Sequence, residues 1–207
     1  MITSVSFDLT VTSLFTSITR GKKLWIGSDK KTIDELLIES FTNPEIDTLK
    51  LTPSHLSLIK ELAIENTNIK TIICGGEQLT HIQLQAVWDI DKGIRIFNEY
   101  GPTETTVGCV VKEMSIDQPQ VLIGKPIANT TINIVANQGK PCDIGMYGEI
   151  VIMGIGVSKG YLNRPELTKE RFVKTKNGEQ SYRTGDIGRW MINGEIAYKE
   201  RKDDQVK

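Results

Sequence analysis

The sequence has few of the residues that build metal centres or disulfide frameworks. Its three cysteines, Cys74, Cys109 and Cys142, are widely spaced, and its two histidines, His55 and His81, form no paired ligand motif. Spacings of this kind argue against a structural zinc site and against a disulfide scaffold. We therefore expect the fold to rest on an apolar core.

Long apolar runs and blocks of like charge are also missing. No apolar run approaches the roughly 20 residues of a membrane-spanning helix, and the N-terminus has no basic, apolar and small-residue signal pattern. The 25 Lys and Arg residues nearly balance the 26 Asp and Glu residues, for a formal net charge of -1. This balance predicts neither a nucleic-acid partner nor a membrane surface, and the expected location is the cytoplasm.

The first half of the chain alternates between helical and strand-like patterns. With 207 residues, 39% of them apolar and 25% charged, the chain can form one domain or two small lobes. The short apolar runs expected to form strands are Leu24 to Ile26, Leu49 to Leu51, Thr71 to Cys74 and Ile94 to Phe97. We predict an α/β part over about residues 1–106, in which helices flank a mostly parallel sheet.

After about residue 107 the pattern changes to short β runs separated by glycine turns. The strand candidates are Ile132 to Val135, Glu149 to Met153 and Trp190 to Ile192. Asn193-Gly194 is typical of a hairpin turn, and Pro165 to Phe172 is the one clear helical segment. We expect residues 107–200 to form a β-rich lobe shaped like a distorted barrel.

The loop from Asn98 to Thr106 directly follows a predicted strand. Open α/β sheets bind ligands in loops at the carboxyl ends of their strands. Tyr100 offers a flat face for a base, while Thr103 and Glu104 offer a hydroxyl and a carboxylate for phosphate and Mg²⁺. The same loop is also compatible with an ordinary helix start in which Thr103 is the cap.

Three later stretches follow this loop in the chain. They are Tyr147 to Thr168, Tyr182 to Asp186 and Arg201 to Lys207. Together with the loop they resemble, in order and approximate spacing, the signature motifs of the adenylate-forming (AMP-binding) superfamily. The resemblance implies that the long glycine-rich stretch shapes the site rather than performing chemistry.

The segment Phe7-Asp8-Leu9-Thr10 resembles the amino-acid-activating branch of that superfamily, the adenylation domains of nonribosomal peptide synthetases. In that branch, the aspartate corresponding to Asp8 meets the α-ammonium group of the substrate. A cation that leaves water needs a charge-assisted partner of this kind. A second interpretation stays open, in which Asp8 only caps the helix that follows.

The resemblance also implies roles at the nucleotide. The implied nucleotide-binding residues are Gly76, Glu77, Asn98, Tyr100, Gly101, Thr103, Asp186 and Arg201. Tyr100 would stack on adenine, and Asp186 would accept hydrogen bonds from the ribose hydroxyls. Thr103 and Glu104 are the implied catalytic residues, Thr103 at the α-phosphate and Glu104 as a ligand of Mg²⁺. Asp203 would be the hinge to a C-terminal subdomain.

A pocket for the substrate side chain is implied as well. Its residues would be Asp8, Leu9, Thr12, Ile73, Gly75, Glu99, Val107 and Gly108, with one further position between Ser54 and Ser57 that the sequence does not align. This set resembles family pockets that take asparagine, because Glu99 can accept hydrogen bonds from a side-chain amide. Glutamine is the next candidate. The alternative is that Glu99 turns away and supports the Tyr100 loop.

Two parts of an adenylate-forming enzyme are absent from the sequence: the phosphate loop with its lysine, and the C-terminal subdomain with a second lysine. We therefore expect an incomplete large N-terminal subdomain over residues 1–200, followed by a hinge at residues 201–207. On its own this piece would be inactive or very weak.

The function implied is ATP-dependent formation of an aminoacyl-adenylate with release of pyrophosphate. The cofactors would be ATP and Mg²⁺, and the acyl group would pass to phosphopantetheine on a carrier domain. A condensation domain is a further expected partner in the parent chain. Two rival functions stay open: an acyl- or aryl-CoA ligase of the same superfamily, and a noncatalytic nucleotide-binding module.

Overall fold

The chain forms two compact units in a computed structural model that describes residues 1–136, 139–175 and 177–202. The first unit consists of residues 1–99 and 113–121. The second consists of residues 100–112 and of the described residues from 122 to 202. In the described residues, no helix is long and apolar enough to cross a membrane.

The first unit carries parallel strands and most of the helices. Its elements are α1 (Leu9–Thr19), α2 (Ile33–Thr42), β1 (Thr48–Leu51), α3 (Pro53–Ile59), β2 (Thr71–Gly75), α4 (His81–Trp88) and β3 (Arg95–Tyr100). Strand β2 lies between β1 and β3 and runs parallel to both. This arrangement confirms the prediction of a mostly parallel sheet with flanking helices.

Local sequence explains where two of these helices begin. The Thr32 hydroxyl accepts from the Glu35 N–H at 3.3 Å, and the Thr32 N–H donates to the Glu35 carboxylate at 2.8 Å. Thr52 and His55 form the same reciprocal cap at the start of α3, and Pro53 occupies its first turn. Such capping boxes satisfy backbone N–H groups that have no partner inside the helix.

The core of the first unit lies between the sheet and its helices. Leu37, Phe41, Leu56, Ile72 and Ile96 have no exposed surface. Burying five side chains of this size contributes about 1.5–3 kcal/mol each. The core therefore holds the carboxyl ends of β1, β2 and β3 in register.

One strand predicted for the first unit is wrong. Residues 24–26 are irregular in the structure. The terminal amino group of Met1 donates to the Trp25 carbonyl, and the Gly27 N–H donates to the Met1 carbonyl at 3.0 Å. An apolar triplet becomes a strand when it finds a neighbouring strand to pair with, and this one contacts the chain start instead.

The second unit is built mainly of antiparallel strands. Its elements are a 3-10 turn (Thr103–Thr105), β4 (Val110–Glu113, whose last residue belongs to the first unit), β5 (Lys125–Pro126), β6 (Thr130–Val135), β7 (Gly148–Gly154), α5 (Pro165–Arg171), β8 (Phe172–Lys174), β9 (Gln180–Trp190) and β10 (Ile196–Arg201). The strand order is β10-β9-β7-β6, with β8 paired to β9.

The β-rich lobe predicted after residue 107 is confirmed. Among the described residues its main sheet is open and does not close into a barrel, although Gly124 bridges to Ile196 of β10 next to the short pair β4 and β5. Its core includes Val110, Ile150 and Ile196, all fully buried. The predicted turn at residues 193–194 joins β9 to β10. The strand predicted at Trp190 to Ile192 is wrong beyond its first residue, because β9 ends at Trp190 and the chain then turns toward β10.

Candidate active site

The carboxyl ends of the three parallel strands collect polar side chains within the first unit. Lys50 lies on β1, Ile73 and Gly75 lie on β2, and Glu99 lies near the end of β3. The register places Ile73 beside Lys50 and Gly75 beside Glu99. This is the edge at which open α/β sheets bind ligands.

A buried ion pair joins the outer two of these strands. The Lys50 ammonium contacts a carboxylate oxygen of Glu99, and their side chains are only 2% and 17% exposed. Burial lowers the pKa of Lys50 to about 8, while the charge of Asp8 acts in the opposite direction. Both charged groups are removed from water, so loss of either one would leave the other buried without a counter-charge.

Glu99 also receives a hydroxyl from α1. The Thr12 hydroxyl lies 3.4 Å from one Glu99 carboxylate oxygen and 3.5 Å from the other, so it donates to either over a long distance. Glu99 therefore points toward Thr12 and Lys50. A side chain at position 75 would collide with this arrangement, since a Cβ there would lie 2.6 Å from the Glu99 carbonyl oxygen and 3.2 Å from Lys50 Nζ.

Lys50 is a residue of this strand edge that no sequence motif marked. The pocket position left open between Ser54 and Ser57 stays a prediction; there the Ser54 hydroxyl donates to Glu77 at 2.5 Å, and the Gln83 amide donates to the Ser57 hydroxyl at 3.1 Å. A usable signal was present in the sequence. Lysine between two leucines of a predicted strand is unusual, because lysine is almost never fully buried unless it is paired.

Asp8 lies immediately before α1, and one of its carboxylate oxygens lacks a hydrogen-bond donor. Its side chain makes no capping hydrogen bond to the helix, so the alternative of a purely capping role is wrong. Its Oδ2 atom is buried and has no hydrogen-bond partner among the described residues. A buried acceptor of this kind carries a desolvation penalty of about 1–3 kcal/mol, which a ligand donor would relieve.

The remaining residues predicted for the first unit lie on the same edge or next to it. Leu9 on α1 is close to Gly76, since a Cβ at Gly76 would lie 3.7 Å from Leu9 Cδ1. The Glu77 carboxylate accepts from the Ser54 N–H at 3.0 Å. Asn98 is buried on β3.

The second unit brings together three of the predicted nucleotide-binding residues. The Tyr100 hydroxyl donates to Asp186 Oδ2 at 2.6 Å, and Arg201 Nη1 donates to Asp186 Oδ1 at 3.2 Å. Asp186 is fully buried, and its N–H donates to the Thr184 hydroxyl at 2.9 Å. Burial and the Asp186 charge both raise the pKa of Tyr100, which keeps its phenol in the donor form.

This arrangement obstructs the two predicted nucleotide contacts, ribose on Asp186 and adenine on Tyr100. Both oxygens of Asp186 already carry a protein donor, and only 7% of Tyr100 is exposed. A ribose could bind Asp186 only by sharing or replacing one of these donors. Stacking of adenine on Tyr100 would likewise require its ring to be uncovered.

The loop after Tyr100 is strained. Thr106 and Val107 adopt positive φ angles of 64° and 65°, which are rare for β-branched residues. A Cβ at Gly101 would lie 1.7 Å from the Val107 carbonyl oxygen, so only glycine fits there. Strained backbone of this kind clusters at functional sites. Gly108 follows in the same loop, and the Cys109 N–H closes it by donating to the Tyr100 carbonyl at 2.9 Å.

Thr103 and Glu104 form a single 3-10 turn rather than an ordinary helix start. Pro102 is the residue before the turn, and no side chain caps it. Thr103 is exposed, and its hydroxyl makes no hydrogen bond among the described residues. The Glu104 Oε1 atom accepts from the Tyr161 hydroxyl at 2.5 Å.

The chain offers few metal ligands near Glu104, which suits a Mg²⁺ ion whose other ligands are substrate phosphates and water. In the described part of the chain, no group of three or more His, Cys, Asp and Glu residues could hold a metal ion. Glu104 therefore supplies a single hard carboxylate, and Mg²⁺ often binds proteins through one or two carboxylates plus phosphates and water. The predicted hinge residue Asp203 lies outside the described residues.

Comparison with known proteins identifies the family. The profile described as "AMP-binding enzyme" matches residues 1–162. The chain belongs to the AMP-binding enzyme family. The resemblance to the adenylate-forming superfamily noted in the sequence is thereby confirmed, and the enzymes of this family are adenylate-forming ligases.

Several relatives match the whole AMP-binding chain. It is 40% identical over 213 residues to bacitracin synthase 3 of Bacillus licheniformis and 39% identical over 215 residues to tyrocidine synthase 3 of Brevibacillus parabrevis. It is 42% identical over 214 residues to a mycosubtilin synthase of Bacillus subtilis. The chain spans 3% of the first two relatives and 8% of the third.

Solved structures agree on the fold of the AMP-binding chain. An NRPS protein containing adenylation and PCP domains matches all of the chain with a TM-score of 0.90 at 24% identity, and the chain covers 44% of it. A second NRPS structure, FmoA3, matches 97% of the chain with a TM-score of 0.85 at 24% identity, and the chain covers 23% of it. At this identity the likeness establishes the fold alone.

Proposed function

We propose that the intact protein activates an amino acid as its aminoacyl-adenylate. The carboxylate of the amino acid attacks the α-phosphorus of ATP, and pyrophosphate leaves. Such a reaction depends mainly on positioning the two reactants and on offsetting charge, so no residue of this chain needs to act as a covalent nucleophile.

The observation that carries this proposal is the unpartnered oxygen of Asp8. Asp8 Oδ2 is buried without a hydrogen-bond donor among the described residues. An α-ammonium group supplies N–H donors and a positive charge, which match that acceptor in both hydrogen bonding and sign. A fatty-acyl or aryl acid has no such donor, so its binding would leave Asp8 unsatisfied.

For the side chain of the substrate we propose asparagine. Glu99 by itself offers only acceptors, but its partner Lys50 is a donor, so the pair can receive both halves of a primary amide. Thr12 adds a hydroxyl at 3.4 Å from Glu99. Aspartate would bring a further carboxylate close to Glu99 and Asp8, and like charges raise the cost of ionisation. Glutamine is the next candidate because it carries the same amide on a longer stem.

The second unit would hold the nucleotide. Asp186 would bind the ribose together with Arg201, and Tyr100 would lie against adenine. Thr103 would contact the α-phosphate, and Glu104 would hold Mg²⁺. When bound, Mg²⁺ would neutralise part of the charge on the phosphates.

The acyl group would then leave the nucleotide for a carrier domain. The phosphopantetheine thiolate of the carrier attacks the carbonyl carbon of the adenylate, a thioester forms, and AMP leaves. Two solved structures of similar fold are described as containing PCP domains. We propose a carrier domain and a condensation domain as the partners within the parent chain.

The test is ATP-pyrophosphate exchange by the intact parent protein with every common amino acid and with a panel of fatty and aryl acids. Asparagine should be among the best substrates. Exchange with carboxylic acids alone would favour a CoA ligase. ATP and Mg²⁺ binding by calorimetry without exchange for any acid would favour a noncatalytic module.

Two substitutions connect this test to the site. Asp8→Asn should lower exchange with every amino acid, because the charge facing the ammonium group is lost. Glu99→Ala should reduce the preference for asparagine over aspartate. Glu39→Ala is a control, since Glu39 pairs with Lys31 in the same unit but is only partly buried. If Glu99→Ala leaves the preference unchanged, the pocket assignment is wrong.

A further inference from the structure

We propose that Tyr161 is a positioning residue for Glu104: its hydroxyl binds one carboxylate oxygen of Glu104 at 2.5 Å and leaves the other oxygen for a metal-bound nucleotide. This inference rests on the proposed function, in which Glu104 holds Mg²⁺. It assigns a role to the glycine-rich stretch, which the resemblance treats only as a general shaping element.

The contact is made by a side chain that is itself fixed from several directions. The Tyr161 ring packs edge-on against Phe172 at a centroid distance of 5.3 Å. Phe172 in turn packs against Tyr182 at 5.0 Å. The Tyr161 N–H donates to the Thr168 hydroxyl at 3.0 Å, which ties the backbone to α5. The phenol therefore approaches Glu104 with little freedom, and little rotamer entropy remains to be lost.

The backbone of the same stretch holds the Glu104 turn. The Ser158 N–H donates to the Glu104 carbonyl at 2.8 Å, and the Thr106 hydroxyl donates to the Gly156 carbonyl at 2.7 Å. A Cβ at Gly156 would lie 2.9 Å from the Thr105 carbonyl oxygen, so the stretch can approach this closely because it has glycine there. Main chain and side chain thus converge on one 3-10 turn.

The hydroxyl is suited to this task because it is a neutral donor. A lysine or arginine in its place would neutralise the carboxylate and compete with a cation, whereas a phenol fixes the carboxylate and leaves its charge. The Tyr182 hydroxyl lies 3.3 Å from the Tyr161 hydroxyl and also interacts with Glu104, so two neutral phenols face the same carboxylate. Outer partners of metal-binding carboxylates act in this way, and their loss typically weakens metal affinity about 10- to 100-fold.

The experiment uses the intact parent protein with Tyr161→Phe, Glu104→Gln and the double variant. Phenylalanine keeps the ring packing on Phe172 and removes only the hydroxyl. Tyr147→Phe is the matched control, because the Tyr147 hydroxyl has no hydrogen bond among the described residues. Calorimetry measures ATP binding at a series of Mg²⁺ concentrations, and exchange measures the Michaelis constant for the amino acid.

We expect Tyr161→Phe to raise the apparent Mg²⁺ constant for ATP binding about 10-fold, the lower end of the range for outer partners. ATP binding in chelator, the amino-acid Michaelis constant and the thermal midpoint should stay within about twofold or 2 °C of the unchanged protein. In the Glu104→Gln background, Tyr161→Phe should add less than about twofold, because the two residues act as one unit.

Three results would overturn the inference, each for a different reason. If Glu104→Gln shifts the Mg²⁺ constant but Tyr161→Phe does not, Tyr161 has no positioning role and the proposed metal site stands. If Glu104→Gln leaves the Mg²⁺ constant unchanged, the metal role of Glu104 fails and the role of Tyr161 fails with it. A shift caused equally by Tyr147→Phe would also refute it, since the effect would then be general to the unit.

Discussion

The buried pair of Lys50 and Glu99 makes the sharpest prediction for the first unit. In Glu99→Gln the Lys50 ammonium stays in place with 2% of its side chain exposed and without the carboxylate that pairs with it. Breaking a buried pair by removing one partner costs about 3–5 kcal/mol. The buried lysine can also lose its proton, and deprotonating a lysine at pH 7 costs about 4–5 kcal/mol. This value is the upper limit of the destabilisation. The glutamine oxygen can still accept one hydrogen bond, so we expect about 3 kcal/mol.

The measurement is native-state hydrogen exchange of the β1 and β3 peptides in the intact parent protein. A loss of about 3 kcal/mol accelerates exchange about 100-fold, since each 1.4 kcal/mol is a factor of ten. The double variant Lys50→Met/Glu99→Gln, which removes both charges, should exchange within about tenfold of the unchanged protein. Lys31→Met is the control, because the ion pair of Lys31 with Glu39 is partly exposed to solvent and worth at most about 1 kcal/mol.

The effect of Glu99→Gln should also depend on pH with a definite sign. In the unchanged protein burial lowers the pKa of Lys50 to about 8, and loss of Glu99 lowers it further. Between pH 6 and 8 the variant then binds fewer protons when folded than when unfolded, so its stability rises with pH by up to about 1.4 kcal/mol per unit. The ratio of exchange rates should therefore fall toward pH 8. A ratio below ten at pH 7, or a double variant as damaged as the single one, would refute the buried pair.

Two further predictions concern the second unit. Asp186→Asn should raise the Michaelis constant for ATP in pyrophosphate exchange about 10- to 100-fold, because a hydrogen bond to a charged group is worth about 1.5–3 kcal/mol; an unchanged constant would remove Asp186 from the ribose site. Gly101→Ala should destabilise the parent by about 3 kcal/mol and abolish exchange, because the new Cβ would lie 1.7 Å from the Val107 carbonyl oxygen. An active enzyme with an unchanged thermal midpoint would show that the loop relaxes more easily than its geometry indicates.

Local sequence determined much of the fold and the location of the motifs. The spacing of apolar residues and the turn residues predicted the change from an α/β part to a β-rich part. Thr52 and Pro53 marked the start of α3. These features depend on neighbours in the chain, so the sequence shows them directly. The strand predicted at residues 24–26 failed for the opposite reason, because a strand exists only if another strand pairs with it, and the sequence does not display that partner.

Tertiary structure alone decided which of these residues act together. Lys50 and Glu99 are 49 positions apart, and the parallel register of the sheet brings them to one edge. Glu104 and Tyr161 are 57 positions apart and meet because a glycine-rich stretch folds over a single turn. The sequence supplied the carboxylates, the lysine and the phenol, but the ligand-facing oxygen of Asp8 and the partners of Glu99 and Glu104 follow from long-range packing, which no local pattern encodes.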